Sequence, residues 1–152
     1  MNPAQPQILV LFVCTGNYYR SRIAEIIFNH YAEQKPLQAK AFSRGLRLNP
    51  VKNTQSISPH ALPFLSGLNI SGFDIGNSRQ LEHADLEKAT HIIAMSEKEH
   101  QPMMVEKFPE WAHKVDYWTM EDDYLVDPLI VLPELRLKVE ALLDCLSEKH
   151  RP

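Results

Sequence analysis

The chain has 152 residues, so we expect one domain over residues 1–152, with a flexible start at 1–7. Its formal net charge of −3 argues against a nucleic-acid partner. The first residues lack the basic start of a signal peptide, and the apolar run that follows is too short to span a membrane, so we expect no membrane association.

Short apolar strands and amphipathic helices alternate along the chain, which predicts an α/β fold with a parallel sheet. The first strand is the apolar run Ile8–Val13, which is typical of a strand covered on both faces. In the helix that follows, Ile23, Ile27 and Tyr31 recur on one face. Further strands are predicted at 39–43, 91–95 and 115–118. Further helices are predicted at 58–67, at 97–108 and from near Pro133 onwards.

The loop between the first strand and the first helix carries the chemistry. Cys14 and Arg20 stand at its two ends, and Gly16 and Asn17 between them tolerate left-handed backbone. A loop that opens a helix points several backbone N–H groups at one spot, which favours an anion. The alternative is that both residues are purely structural, with Cys14 buried and Arg20 exposed. An arginine at a helix N-terminus is unfavourable, however, unless it faces an anion. The loop therefore predicts chemistry on an oxyanion such as phosphate.

The sequence Cys14-Thr15-Gly16-Asn17-x-x-Arg20-Ser21 resembles the signature of the low-molecular-weight protein tyrosine phosphatase family. The similarity continues in the same order through three further segments and ends at an Asp-Pro pair: Ser43–Gly45, Ser78–Gln80, His91–Met95 and Asp127–Pro128. With the predicted elements, the resemblance implies a three-layer sandwich around a central four-stranded parallel sheet, with the phosphate loop after the first strand.

The resemblance also implies roles for the loop residues. Cys14 would attack phosphorus and form a phosphocysteine intermediate, because a helix N-terminus and a guanidinium favour the thiolate. Arg20 would hold two phosphoryl oxygens through its planar fork. The implied phosphate-binding residues are Thr15, Gly16, Asn17, Tyr18, Tyr19, Arg20 and Ser21, with Ser43 in a supporting role. The expected substrate is a phosphotyrosine-containing protein or a small aryl phosphate, and no cofactor is expected.

The leaving oxygen needs a proton, and Asp127 is the predicted general acid. Pro128 restricts Asp127 to extended backbone, which could aim its side chain, and the resemblance implies the same role for the pair. Asp122 and Asp123 compete for this role because they lie in the same acidic segment. The Asp-Pro pair could also be an ordinary turn.

The sequence departs from the family pattern around the loop. Tyr19 stands where many members have a second cysteine, and Tyr18 stands where a smaller residue is usual. Leu129 and Ile130 follow the Asp-Pro pair in place of a tyrosine that forms one wall of an aromatic slot. These differences affect the walls of the expected pocket rather than its nucleophile, clamp and acid.

Two alternative functions remain at this point. Thioredoxin-coupled arsenate reductases resemble this fold and loop, but their reaction needs further redox cysteines, and only Cys145 remains here. A phosphotyrosine-binding module without catalysis is the other alternative. The 7 histidines show no metal-ligand spacing, so we predict no metal site. A reactive thiol and the absence of a disulfide pattern favour the cytoplasm, and the sequence does not indicate an oligomeric state.

Overall fold

The computed structural model describes residues 7–48, 57–59, 61–73, 76–120 and 127–149. The strands are β1 (Ile8–Cys14), β2 (Ala39–Gly45), β3 (His91–Ala94) and β4 (Asp116–Tyr117). The helices are α1 (Arg20–Ala32), α2 (Ala61–Gly67), α3 (His83–Lys88), α4 (Glu97–Lys107) and α5 (Pro128–Lys149), with a 3₁₀ turn at Ala112–Lys114. None of the described helices is both long and apolar enough to cross a membrane.

The four strands form one sheet in the order β2-β1-β3-β4, and every neighbouring pair is parallel. In the register of the sheet, Cys14 at the end of β1 pairs with Gly45 at the end of β2, and Val13 pairs with Ala94 at the end of β3. The carboxyl ends of these strands therefore meet at one edge, where sites in such sheets are found. The predicted four-stranded parallel sheet is confirmed.

Both faces of β1 are buried, which explains its unbroken apolar sequence. Val10 and Phe12 pack with residues of α1 and α5 in one core cluster. Leu11 and Val13 face the other way and pack with residues of α3 and α4 in a second cluster. Because alternate residues of a strand point to opposite faces, the sheet is the middle of three layers, as predicted.

Helix α3 is absent from the elements that the sequence predicts. It has only six residues, and an apolar pattern is hard to recognise over so short a stretch. Its start is fixed by a capping box, in which the side chains of Glu82 and Asp85 each accept a backbone N–H from the other residue. The predicted fourth strand is also longer than β4, which pairs with β3 over Asp116–Tyr117 only.

Helix α5 begins at Pro128, so the predicted start near Pro133 is wrong. Asp127 accepts the backbone N–H of Leu129 on Oδ1 at 2.9 Å, and its carbonyl accepts the N–H of Val131 at 3.1 Å. Proline is favoured at the first position of a helix, where its missing N–H costs nothing. Pro128 fills that position, and Pro133 lies inside the helix.

Candidate active site

The thiol of Cys14 lies at the end of β1 and receives two hydrogen-bonding groups from the loop. The Asn17 N–H donates to Sγ at 3.2 Å, and Ser21 Oγ lies 2.9 Å from Sγ. Asn17 has a φ of 52°, in the left-handed region that asparagine tolerates. The Asn17 side-chain amide donates to Ser21 Oγ at 3.0 Å, which leaves the Ser21 hydroxyl proton for the sulfur. The Asn17 N–H and the Ser21 hydroxyl can therefore both donate to the Cys14 sulfur.

The side chain of Asn17 connects the loop to two neighbouring segments. Its amide group donates to Ser43 Oγ at 2.9 Å, and its Oδ1 accepts the Arg79 N–H at 2.8 Å. Ser78 donates to the Asn17 carbonyl at 2.5 Å. Ser43 in turn donates to the carboxylate of Glu25 at 2.5 Å. Burial raises the pKa of Glu25, although the hydrogen bond from Ser43 acts to lower it. The loop conformation is therefore held by side chains from β2 and from the segment before α3.

The remaining loop residues differ in burial. Thr15, Gly16 and Tyr18 are half-buried, and the Tyr18 carbonyl accepts the N–H of Ser58 at 2.8 Å. Tyr19 is 4% exposed and packs in the same core cluster as Cys14. The ring of Tyr19 is thus a core side chain, so any contact of Tyr19 with phosphate would come from its backbone.

Arg20 opens α1 and is almost fully buried against Glu99. Its Nη1 lies 3.1 Å from Glu99 Oε1 and its Nη2 lies 2.8 Å from Glu99 Oε2, which makes a bidentate ion pair. Nη1 also donates to the carbonyl of Met120 at 3.1 Å. The side chain of Arg20 is 1% exposed and that of Glu99 is 20% exposed. The predicted phosphate clamp therefore lies at the end of the loop with its guanidinium anchored to α4.

Glu99 and its neighbour His100 are site residues that the sequence analysis missed. Thr15 donates its hydroxyl to Glu99 Oε2, and His100 Nε2 lies 3.1 Å from the same oxygen. Burial would raise the pKa of Glu99, but hydrogen bonds from His100, Arg20 and Thr15 outweigh burial and hold its pKa well below the usual range. The sequence around Glu99 fits the capping-box pattern Ser-x-x-Glu at Ser96–Glu99. This pattern does not indicate that Glu99 contacts Arg20.

Asp127 caps α5, and its side chain is exposed. Val131 and Leu132, in the first turns of α5, pack in the same core cluster as Cys14, so Asp127 lies on the Cys14 side of the sheet. The competing candidates Asp122 and Asp123 lie outside the described residues. No group of three or more His, Cys, Asp or Glu side chains in the described part of the chain could hold a metal ion.

Gly45, at the end of β2, lies close to the backbone of the loop. A Cβ at this position would lie 2.8 Å from the Thr15 carbonyl oxygen and 2.9 Å from the Asn17 nitrogen, both of them backbone atoms. We expect Gly45→Ala to displace the loop, to lower kcat/KM for p-nitrophenyl phosphate by about tenfold or more, and to destabilise the fold by about 1–3 kcal/mol. Denaturant unfolding and steady-state kinetics would measure both effects.

Gly67→Ala is the matched control for this prediction. A Cβ built at Gly67, which ends α2, meets nothing within 4 Å apart from its chain neighbours and the backbone of its own helix, and alanine is the better helix former. This control should keep full activity and stability. A Gly45→Ala protein as active and as stable as the control would contradict the close approach.

The loop geometry agrees with the relationships of the chain to known proteins. The family model described as low molecular weight phosphotyrosine protein phosphatase matches residues 9–128. A protein-arginine-phosphatase of Geobacillus stearothermophilus is 32% identical over 149 residues, covering 92% of this chain and 94% of that protein.

Two solved structures are similar over nearly their whole length. The low molecular weight protein tyrosine phosphatase from T. tengcongensis is 31% identical with a TM-score of 0.73, covering 94% of this chain and 99% of that chain. The YwlE arginine phosphatase, as a cysteine-to-serine mutant with a phosphorylated active-site serine, is 26% identical with a TM-score of 0.70, covering 95% of this chain and 98% of that chain. The protein is therefore a phosphatase and belongs to the low-molecular-weight phosphotyrosine protein phosphatase family.

Proposed function

We propose that this protein hydrolyses phosphotyrosine in proteins through a phosphocysteine intermediate, with Cys14 as nucleophile, Arg20 as phosphate clamp and Asp127 as general acid and base. The observation that carries the proposal is the thiol of Cys14 at the N-terminus of α1, with the Asn17 N–H and the Ser21 hydroxyl directed at its sulfur. A nucleophilic cysteine must stay reduced, and this supports the cytoplasm, a reducing compartment, as the location.

In the first step the Cys14 sulfur attacks phosphorus in line with the leaving oxygen. The S–P bond forms as the P–O bond breaks, and the leaving oxygen takes a proton from Asp127. Backbone N–H groups of the loop and the guanidinium of Arg20 stabilise the charge spread over the three other phosphoryl oxygens. Thr15, Gly16, Asn17, Tyr18, Tyr19 and Ser21 complete the proposed phosphate site, and Ser43 supports it by holding Asn17.

In the second step water replaces the sulfur on phosphorus. Asp127, now a carboxylate, accepts a proton from this water as its oxygen attacks, and the S–P bond breaks to return the thiolate and release inorganic phosphate. The phosphorylated active-site serine in the YwlE mutant supports this covalent route, because a serine in place of the cysteine has kept the phosphoryl group in that relative.

The residues after Asp127 support an aryl phosphate as substrate. Leu129 is 83% exposed and Ile130 is 57% exposed, although both are apolar. Their aliphatic side chains can pack on the flat face of a phenyl ring, whereas the guanidinium of phosphoarginine needs hydrogen-bond acceptors. Phosphoarginine in proteins is the second candidate substrate, and the Geobacillus stearothermophilus relative, a protein-arginine-phosphatase, favours it.

Two peptides that differ only in the phosphorylated residue would test this choice. We expect kcat/KM for the phosphotyrosine peptide to exceed that for the phosphoarginine peptide by about tenfold or more, because a poorly matched pocket loses transition-state binding. A ratio that favours phosphoarginine would replace the proposed substrate, and no turnover of either peptide would refute hydrolysis of phosphoproteins.

A pair of variants on α5 sharpens this test. Leu129→Ser should lower kcat/KM for the phosphotyrosine peptide by about fivefold, because it removes part of an apolar contact. Leu137→Ser is the matched control, since Leu137 is 65% exposed on the same helix but lies two turns further from Asp127. Equal effects of the two substitutions would remove Leu129 from the substrate site.

A further inference from the structure

Two exposed arginines, Arg47 and Arg79, lie beside the loop that joins β1 to α1. Arg47 comes just after β2, and its backbone N–H donates to the carbonyl of Thr15 at 2.8 Å. Arg79 comes shortly before α3, and its backbone N–H donates to Oδ1 of Asn17 at 2.8 Å. Both arginines are therefore attached through their backbones to residues of the loop, while their side chains are exposed.

The sheet sets the distance between these arginines and the nucleophile. Gly45 pairs with Cys14 on one side and with Gln80 on the other. Because neighbouring strands are about 4.8 Å apart, the backbone next to Arg79 lies about 10 Å from that of Cys14. An extended peptide advances about 3.3 Å per residue, so this distance corresponds to about three residues of a bound substrate. Residues close to the phosphorylated one can therefore reach this part of the surface.

The guanidinium groups of Arg47 and Arg79 make no hydrogen bond or ion pair within the described part of the chain. The neighbouring Arg44 differs from them, because its Nε lies 3.1 Å from Asp85 Oδ2 and its Nη1 donates to the Ser43 carbonyl at 2.7 Å. Arg44 is thus used inside the fold. The other two arginines are left to bind an anionic group of another molecule.

The acidic side chains at the start of α3 are engaged elsewhere. Glu82 and Asp85 form the capping box of this helix, and Asp85 also pairs with Arg44. The chain as a whole carries a formal net charge of −3, so the two arginines are a local feature rather than part of a generally basic protein. A guanidinium and a carboxylate pair through two parallel hydrogen bonds, so Asp and Glu side chains suit these arginines as partners.

We infer that Arg47 and Arg79 recognise acidic residues that flank the phosphorylated residue of a protein substrate. This inference rests on the proposed hydrolysis of phosphoproteins, and it narrows the substrate to sequences with Asp or Glu near the phosphorylated position. Charges at the rim of a binding site act mainly on the rate of association, so kcat/KM should depend on them more than kcat does. Salt screens exposed charges, so the preference should shrink as ionic strength rises.

Three phosphotyrosine peptides that differ only in their flanking residues test the inference, with glutamate, glutamine or lysine at those positions. At low salt, kcat/KM for the glutamate peptide should exceed that for the glutamine peptide by about tenfold, and the lysine peptide should be the poorest substrate. At an ionic strength of about 1 M the three values should agree within about twofold. Equal kcat/KM for the glutamate and glutamine peptides at low salt would overturn the inference.

Arg47→Gln and Arg79→Gln assign the preference to the two side chains. The measured quantity is kcat/KM for the glutamate peptide divided by kcat/KM for p-nitrophenyl phosphate, which has no flanking residues. This ratio should fall by about threefold in each single variant and by about tenfold in the double variant. An equal loss on both substrates would place the arginines against the phosphoryl group instead, and that result would overturn the inference.

Lys40→Gln is the matched control, because Lys40 is exposed on β2 and the substitution changes the net charge equally. Lys40 lies five residues before Gly45, about 16 Å away along the strand. The control should leave the ratio unchanged, and an equal fall would show that net charge rather than position sets the preference, which would overturn the inference.

A binding measurement separates this inference from the proposed function. If the protein hydrolysed none of the phosphotyrosine peptides, the proposed function would fail. Fluorescence anisotropy with the same peptides, each carrying a dye, would then decide the role of the arginines. Weaker binding of the glutamate peptide by the double variant than by the unmodified protein would support their role, and equal binding would overturn it.

Discussion

Replacing Cys14 with serine should abolish steady turnover of p-nitrophenyl phosphate, with a loss on the order of 10⁴-fold or more. A serine hydroxyl is not ionised at neutral pH, and the groups around Cys14 are hydrogen-bond donors rather than a general base. In the unmodified protein, mixing with excess substrate should give a burst of p-nitrophenol equal to the enzyme concentration if breakdown of the phosphocysteine is slow. Rapid-mixing absorbance would record both the burst and its loss.

Cys145→Ser is the matched control for this experiment. Cys145 is exposed near the end of α5, and the neighbouring Asp144 pairs with Lys35, just after the end of α1, at 3.4 Å. Cys14 lies beside Ser21 in the first turn of α1, so Cys145 is about 20 Å from the thiol along the axis of α1. The control should keep full activity. A Cys14→Ser protein that retained a substantial share of turnover would refute covalent catalysis by Cys14.

The same distance bears on the arsenate reductase alternative. A disulfide requires Cα atoms within about 7 Å of each other, so Cys145 cannot relay oxidising equivalents from Cys14 within one molecule. The buried ring of Tyr19 occupies the loop position where many family members have a second cysteine. The thiol of Cys14 is therefore arranged for attack on phosphorus rather than for a thiol relay.

The sheet and the loop could be predicted from the sequence because their signals are local. An apolar run that ends at Cys14 indicates a buried strand. The next residues include Gly16 and Asn17, which tolerate left-handed backbone, and they are followed by the start of a helix. The Asn17 backbone adopts the left-handed conformation, and the loop lies at the carboxyl edge of the sheet. Both features follow from a few consecutive residues and from the rule that the carboxyl ends of parallel strands lie at the same edge of the sheet.

The partner of Arg20 could not be predicted in the same way. Glu99 is 79 positions away in sequence, and the contact depends on how α4 leaves β3. The local pattern predicts a different use for Glu99, because Ser96 and Glu99 fit a capping box. In the structure His100 takes the place of Glu99 at the Ser96 N–H, and the Glu99 carboxylate contacts Arg20 instead. The contact is decided by tertiary packing, which overrides the local preference.

The start of α5 was predicted wrongly because two prolines fit the first position of the helix. Pro133 fits the first position of a helix, and so does Pro128, because proline is preorganised for that position. The apolar stripe from Leu135 onwards does not distinguish the two. The cap formed by Asp127 decides for the earlier start, and it gives the predicted general acid a second, structural role.

This double role makes Asp127→Asn a selective test of acid catalysis. Asparagine keeps the oxygen that accepts the Leu129 N–H and is as good a helix cap as aspartate, so stability should not change. It cannot supply a proton to the leaving group. We expect kcat/KM to fall by about 10²–10³-fold for phenyl phosphate, whose leaving group is basic, and by about tenfold or less for p-nitrophenyl phosphate. A series of substituted aryl phosphates should show a steeper dependence on leaving-group pKa in the variant.

Asp127→Ala completes the comparison because it removes the cap and the proton together. It should lose the same catalytic factor as Asp127→Asn and, in addition, about 1 kcal/mol of the free energy of unfolding. Denaturant unfolding of the two variants would separate the cap from the acid. Equal slowing of all aryl phosphates by Asp127→Asn would show that the leaving oxygen receives its proton elsewhere. Asp122 and Asp123 would then be the residues to replace next, because they lie in the same acidic segment.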